Sequence, residues 1–173
     1  MKSITSFAIA AALAFGGMVP ATAATLVPGT AWTTFFFGDP GTDITDAGTG
    51  DNFWTVTATL PSFLQVTDAF LIGDVFNISV DGVSIGLTGA FDDTGAITSD
   101  PNEAFNGSVY SWLSFAIAPG TYTITGIAAS SPFGGGGAFL RVIPVPEPAT
   151  WGMMIAGFGL VGFAARRRTA AVA

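Results

Sequence analysis

Residues 76–87 read FNISVDGVSIGL, and this stretch decides the fold. Apolar and polar residues alternate on both sides of Asp81-Gly82, as is typical of half-buried β-strands. An Asp-Gly pair favours the positive φ angles that a two-residue type I′ turn requires. The stretch therefore predicts an antiparallel hairpin with strands at 76–80 and 83–87.

Further strand patterns continue outward from this hairpin. They cover residues 31–37, 53–60, 64–71, 109–118, 122–128 and 138–143. Pro61-Ser62 reads as a turn, and Pro119-Gly120 predicts a second hairpin that joins 109–118 to 122–128. The polar stretches 38–51 and 91–107 read as long loops, and no helix is predicted between residues 24 and 145.

The number and spacing of these strands predict an all-β fold. About seven or eight short strands without crossover helices are typical of an antiparallel β-sandwich, and we expect a jelly-roll-like order. The alternative is a closed barrel of about five to seven strands. Residues 24–145 are long enough for one such domain and too short for two.

The N-terminus has the pattern of a secretory signal peptide. Lys2 precedes an apolar run from Phe7 to Val19, Pro20 ends that run, and the small residues Ala21 and Ala23 follow. Small residues at these two positions suit cleavage by a signal peptidase. We therefore predict a signal peptide at 1–23, and with it export.

The C-terminus has three parts in a fixed order. Pro146-Glu147-Pro148 is followed by Trp151 within a long apolar stretch and then by Arg166, Arg167 and Arg168. A helix over 149–165 would be about 25 Å long, slightly short for a bilayer core of about 30 Å. The arginines would stay on the cytoplasmic side as a membrane stop. We predict a transmembrane helix at 149–165.

This tail resembles the PEP-CTERM sorting signal in its PEPxxWA form, with Gly152 where that form usually has alanine. The same region is also catalogued as the C-terminal domain of ice-binding proteins. The resemblance implies a Gram-negative bacterium that makes exopolysaccharide. It also implies an exosortase, an integral-membrane cysteine transpeptidase, that cuts near Pro146, Glu147 and Pro148. The sorting signal would occupy 146–173 and would include Trp151 among its processing residues. At the other end of the chain, Ala21 and Ala23 are the processing residues of the predicted signal peptide.

Composition excludes several classes of chemistry. The chain has no histidine and no cysteine, which removes Ser-His-Asp and Cys-His nucleophiles and zinc sites built on those ligands. Residues 24–145 contain ten aspartates, one glutamate and a single basic residue, Arg141, so their formal charge is −10. Such a body repels nucleic acid and anionic lipid. No cofactor is expected except calcium.

Carboxylates are the remaining reactive groups. Two acidic loops predict weak calcium candidates, which are Asp39, Asp43, Asp46, Asp51, Asp92 and Asp93, because Ca²⁺ takes oxygen ligands from flexible loops. Asp93-Thr94-Gly95 resembles the active-site tripeptide of aspartic proteases, but turn chemistry accounts for it. We assign no catalytic residue, although a pair of carboxylates acting as a hydrolase stays a remote alternative.

Aromatic residues supply the other candidate surface. If 31–37 is a strand, Phe36 points opposite to Phe35 and Phe37, so that it or Trp32 could stack on a sugar. We predict a non-enzymatic, exported surface or matrix protein with a structural or adhesive role. The alternative is a carbohydrate-binding module in the exopolysaccharide matrix. Expected partners are signal peptidase, exosortase, the inner membrane transiently and exopolysaccharide, but no nucleic acid.

Overall fold

A computed structural model describes residues 23–89, 97–145 and 151–161. Its first two ranges contain ten strands and one short helix. The strands are β1 (Ala24–Leu26), β2 (Thr33–Phe37), β3 (Thr45–Asp46), β4 (Trp54–Ala58), β5 (Ser62–Thr67), β6 (Val75–Val80), β7 (Val83–Leu87), β8 (Trp112–Ile117), β9 (Gly120–Ser130) and β10 (Gly136–Pro144). Helix α1 (Pro101–Asn106) lies between β7 and β8.

The strands form two five-stranded sheets. Sheet 1 has the order β1-β4-β9-β6-β7, and sheet 2 has the order β3-β2-β10-β5-β8. Four antiparallel pairs, β6·β7, β5·β8, β4·β9 and β2·β10, are nested around the central hairpin and alternate between the sheets. This nesting is the jelly-roll order. The predicted all-β sandwich is confirmed, with β3 added at one edge and β1 added in parallel beside β4.

The central hairpin forms as predicted. Asp81 and Gly82 both have positive φ, 50° and 78°, as a type I′ turn requires. The Asp81 side chain also accepts a hydrogen bond from the Thr123 amide at 2.7 Å, which attaches the turn to β9. Local sequence therefore determines the innermost pair of the nested order.

The core lies between the two sheets and is rich in aromatic rings. The centroid of Phe35 lies 5.1 Å from that of Phe76 and 6.3 Å from that of Trp54, both in edge-on geometry. Phe35 belongs to sheet 2, and the other two belong to sheet 1. Contacts of this kind contribute about 0.5–1.5 kcal/mol each beyond the burial of their area. Aromatic packing therefore joins the two sheets of this cysteine-free body.

The predicted second hairpin is wrong. Strands β8 and β9 are consecutive, but β8 pairs with β5 in sheet 2 whereas β9 pairs with β4 and β6 in sheet 1. The Pro119-Gly120 turn is therefore a crossing between sheets. The inward direction of Leu113, Phe115 and Ile117 is nevertheless as predicted, since these three are the less exposed residues of β8.

Two further expectations need correction. Ser62 is not a turn residue but the first residue of β5, paired with Ile117. The polar stretch 91–107 contains helix α1, whose first turn is capped by Asp100: its carboxylate accepts a hydrogen bond from the Asn102 amide at 2.8 Å. Pro101 stands at the first helical position, where its missing N–H costs nothing.

Residues 151–161 form a helix in which every residue is exposed. Its apolar side chains include Trp151, Met153, Ile155 and Phe158, of which the last three are more than 70% exposed. Among the residues that the structure describes, no helix has both the length and the apolar character needed to span a bilayer. The predicted span 149–165 reaches beyond this helix at both ends, and those ends lie outside the described residues, as do the arginines at 166–168.

Candidate functional site

The outward face of sheet 2 carries several exposed aromatic residues of the body, among them Phe36, Phe63 and Trp112. In β2, Phe35 and Phe37 are buried whereas Phe36 is 51% exposed, as strand alternation predicts. Phe36 is paired across the sheet with Gly137 of β10. Because Gly137 has no side chain, the Phe36 ring can lie close to its backbone.

Phe70 lies on the other side of this glycine. A Cβ atom placed on Gly137 would lie 3.6 Å from the Phe36 ring and 3.7 Å from the Phe70 ring. Phe70 is 42% exposed, and its ring centroid lies 5.8 Å from that of Phe139. We call Phe36, Gly137 and Phe70 the phenylalanine platform. It presents two exposed rings that both lie against Gly137.

The backbone at Phe70 is held in an unusual conformation. Its φ angle is +68°, which is costly for a bulky residue. The Phe70 amide donates to the Thr98 carbonyl at 3.0 Å, and the Tyr110 hydroxyl donates to the Phe70 carbonyl at 3.1 Å. Tyr110 is buried, and burial raises the pKa of its hydroxyl. These bonds fix the position of the Phe70 ring.

A cavity of about 340 Å³ adjoins Phe70. It is lined by Phe70, Leu71, Ile97, Thr98 and Ser99. The volume is at the lower end of the range of small-ligand sites, about 300–1,000 Å³. Leu71 and Ile97 are 56% and 66% exposed, so the apolar surface continues beyond the platform.

Trp32 and Arg141 lie on the same outward face of sheet 2, where several contacts hold their side chains in place. The Arg141 guanidinium lies 4.0 Å from the Trp32 ring centroid and donates from Nε to Gln65 at 2.8 Å. Asn102 Oδ1 accepts from both Trp32, at 2.9 Å, and Arg141, at 3.2 Å. Phe105 packs against the Trp32 ring at 5.6 Å. Desolvation lowers the pKa of Arg141, and Trp32 is occupied by these contacts instead of free to stack.

The structure does not gather the calcium candidates of the first acidic loop. Asp39 is exposed, and Asp43 accepts a hydrogen bond from Asn52 at 2.9 Å. Asp46 accepts from the buried Trp54 indole at 3.0 Å and from the amides of Gly48 and Thr49. Burial acts to raise the pKa of Asp46, but these hydrogen bonds outweigh it and the net pKa is lowered. Asp46 therefore has a structural role.

No three acidic side chains within 23–89, 97–145 and 151–161 are grouped closely enough to hold a metal ion. The enclosed Oδ2 atom of Asp51 has no hydrogen-bond partner among the described residues. However, Asp39, Asp43 and Asp46 do not lie close enough to Asp51 to form a metal-binding group with it. The remaining candidates, Asp92 and Asp93, lie outside the described residues, together with the tripeptide at 93–95. Calcium at the predicted residues stays a prediction.

Sheet 1 presents a polar outward face instead. Thr55 of β4 lies between Thr25 of β1 and Thr123 of β9. In the next row, Thr57 and Thr121 share a hydrogen bond of 3.0 Å between their hydroxyls. The two faces of the sandwich therefore differ in chemistry: one is aromatic, and the other is lined with hydroxyls.

Comparison with known proteins identifies the C-terminal segment. Residues 144–168 match the PEP-CTERM protein-sorting motif, which confirms the resemblance described above. The processing residues Pro146, Glu147 and Pro148 fall within this match but lie outside the described residues. Ala21 and most of the predicted signal peptide also lie outside the described residues. The comparison with curated proteins finds no match.

One solved structure is similar over most of the body. It is the crystal structure, at 1.0 Å, of the pre-peptidase C-terminal domain of collagenase from Bacillus anthracis. The two share 16% sequence identity with a TM-score of 0.35, over 73% of this chain and 99% of that domain. The strand order given above, and not this likeness, defines the fold.

Sequence patterns locate Phe36 but miss its partners. Phe70 falls in the predicted strand 64–71, where an exposed ring fixed by a positive φ angle has no local signal. Gly137 falls in a glycine-rich bend, and only the register of β10 against β2 places it beside Phe36. The platform is therefore a product of tertiary pairing.

Proposed function

We propose that this protein is a non-enzymatic adhesion component of the cell surface or extracellular matrix, and that its phenylalanine platform binds neutral polysaccharide. The PEP-CTERM motif implies an exported protein that an exosortase recognises. The adhesive role and the polysaccharide ligand are the further steps. The observation that carries them is the pair of exposed rings on either side of Gly137.

Stacking on aromatic rings is suited to sugars because the C–H face of a pyranose is apolar and its rim is polar. Phe36 and Phe70 offer two such rings, and the cavity beside Phe70 adds the hydroxyl-bearing residues Thr98 and Ser99 at its edge. The formal charge of −10 between residues 24 and 145 opposes binding of anionic polymers. These features together favour a neutral glycan.

The proposed route to the surface uses both ends of the chain. Signal peptidase would cut after Ala23, and a helix over 149–165 would hold the protein in the inner membrane until exosortase cuts near Pro146. The exposed, apolar helix at 151–161 supports this step, because such side chains avoid water on every side of the helix. Release or transfer to the matrix would follow.

A carbohydrate-binding assay tests the ligand. We expect saturable binding to a neutral glucan in affinity electrophoresis, with about tenfold weaker binding for Phe36→Ala and for Phe70→Ala, since one lost stacking contact is worth about 1.4 kcal/mol. Leu87→Ala is the matched control, because Leu87 is 55% exposed but lies on sheet 1. An anionic uronate polymer should bind more weakly than the glucan.

Two results would contradict the proposal. One is binding that is equally strong in the Phe36→Ala, Phe70→Ala and Leu87→Ala variants. The other is turnover of the glucan, detected as new reducing ends, that is abolished by a single Asp→Asn substitution. That second result would favour a carboxylate hydrolase.

A further inference from the structure

Two buried aspartates flank the connection between β5 and β6. Asp68 is 0% exposed and Asp74 is 5% exposed. Arg141 is the one basic residue between positions 24 and 145, and it is engaged with Trp32, Gln65 and Asn102. The two carboxylates therefore lie in a low-dielectric environment, and no basic side chain from residues 24–145 is free to neutralise them.

The Asp68 carboxylate is largely occupied by backbone amides. Its Oδ1 accepts from the Ala69 amide at 2.8 Å, and its Oδ2 accepts from the Asp74 amide at 3.3 Å. The Gly73 amide also acts to lower the pKa of Asp68. A carboxylate has about four lone-pair sites, so the two hydrogen bonds orient Asp68 and leave it about two further acceptor sites.

The Asp74 carboxylate is undersupplied with donors. Its Oδ1 atom is enclosed and has no hydrogen-bond partner among the described residues. The Ser131 hydroxyl acts to lower the pKa of Asp74, but its proton is donated to the Gly134 carbonyl. A buried carboxylate oxygen without a partner carries the cost of leaving water with no hydrogen bond to offset it.

Two buried hydroxyl groups lie beside the backbone of Asp74. The Ser111 hydroxyl lies 2.6 Å from the Asp74 carbonyl oxygen and 2.8 Å from the Thr88 hydroxyl, and both residues are buried. Burial raises the pKa of Asp68 to about 8, with the charge of Asp74 adding to the rise, and burial also raises the pKa of Asp74. A cation bound beside the two carboxylates would favour their ionised forms.

We propose that Asp68 and Asp74 bind a hard divalent cation of the Ca²⁺ class, with Asp74 Oδ1 as the principal ligand atom. The donor atoms at hand are oxygens alone, which suit Ca²⁺ and not the softer transition metals. Two carboxylates with additional water ligands correspond to the weak affinities of extracellular modules, with Kd of about 10⁻⁴–10⁻³ M. The site uses residues other than those of the acidic loop at 39–51.

Thermal unfolding of the purified protein in EDTA and in 10 mM CaCl₂ tests the site. Each solution is matched in ionic strength with NaCl, because screening alone stabilises a strongly acidic protein. We expect calcium to raise the Tm of the wild-type protein by about 5–10 °C. Asp74→Asn should remove this rise and should increase the Tm in EDTA, since it eliminates a buried charge. Asp39→Asn, at an exposed aspartate, should retain the full rise.

A luminescence measurement gives a second readout that does not depend on a variant. Tb³⁺ replaces Ca²⁺ at oxygen sites and emits when a nearby tyrosine is excited, and the Tyr110 hydroxyl is close enough to Asp68 for its pKa to be raised by that charge. We expect emission that saturates at one Tb³⁺ per chain and is displaced by Ca²⁺. Asp68→Asn serves as a second loss variant if Asp74→Asn does not fold.

Three outcomes would overturn the proposal. The first is a calcium-dependent rise in Tm that persists in Asp74→Asn, which would place the ion elsewhere. The second is a rise with Mg²⁺ and none with Ca²⁺. The third is a Tm that responds to pH but not to calcium, with no displaceable Tb³⁺ emission, because a proton would then take the place of the cation.

Discussion

Asp68→Asn is predicted to flatten the pH dependence of stability in metal-free solution. In the folded protein the pKa of Asp68 rises from 3.8 to about 8, because burial and the charge of Asp74 disfavour the ionised form. Between these two values the native state holds a proton that the unfolded state has released. Stability therefore falls as the pH rises from about 4 to about 8, and becomes level above that range.

The magnitude follows from the size of the shift. A displacement of about four units corresponds to about 6 kcal/mol at about 1.4 kcal/mol per unit, which is an upper bound. The pKa of about 8 already includes the effect of the amide hydrogen bonds, which favour the ionised form. Relaxation of the structure and entry of water around an ionised Asp68 reduce the loss, so we expect a decline of about 2–4 kcal/mol. Asp74, whose pKa is also raised, contributes in the same direction.

Urea unfolding at a series of pH values in EDTA measures this decline. The wild-type free energy of unfolding should decrease between pH 4.5 and pH 8, whereas that of Asp68→Asn should decrease less steeply, because only Asp74 then contributes, and should exceed the wild-type value at pH 8. Asp39→Asn is the control and should follow the wild-type curve. Curves of equal slope for wild type and Asp68→Asn would refute the reasoning.

Three other predictions concern packing, turn geometry and processing. Asp46→Ala should lower the free energy of unfolding by about 1–3 kcal/mol, because it leaves the fully buried Trp54 indole N–H without its acceptor. Chemical denaturation measures this change. In the same assay the control Asp39→Ala should change the free energy of unfolding by less than about 0.5 kcal/mol. Gly135→Ala should destabilise the protein by about 1–3 kcal/mol, because a Cβ atom there would overlap the Phe37 carbonyl oxygen. Gly29→Ala should be tolerated in the same assay, because the atom nearest to its Cβ position would be 4.0 Å away. Intact mass spectrometry of the protein from its native cell surface should show a new N-terminus at Ala24 and loss of the residues after the Pro146 region; a full-length mass from the cytosol would contradict the proposed route.

The nested order of the sandwich depends on signals of two kinds. The hairpin at 76–87 follows from local sequence, because alternation and an Asp-Gly pair leave few other conformations. The link at Pro119-Gly120 has an equally good turn sequence, yet it crosses between sheets. Turn residues describe a change of direction and carry no information about which sheet the next strand joins.

The residue pattern predicts a loop where helix α1 forms, although the signal for a helix start is present in the sequence. Asp100, Pro101 and Glu103 stand at a cap, at the first helical position and in the first turn, as helix starts require. The surrounding Asp, Asn and Gly residues favoured a loop instead. The candidate surfaces also differ in how far the sequence predicts them. Strand alternation predicts that Phe36 is exposed. The raised pKa values of Asp68 and Asp74 come from burial, which composition cannot reveal.

The position of β10 also determines how the molecule would respond to mechanical load. Five residue pairs connect the first half of β10 to β2 and six connect its second half to β5, so the strand that leads into the sorting segment is paired along its whole length. Force applied to that end acts along the strand axis and loads these bonds in shear, all at once, instead of peeling them one at a time from an edge. A body tethered through its C-terminus would therefore resist flow and drag at the cell surface.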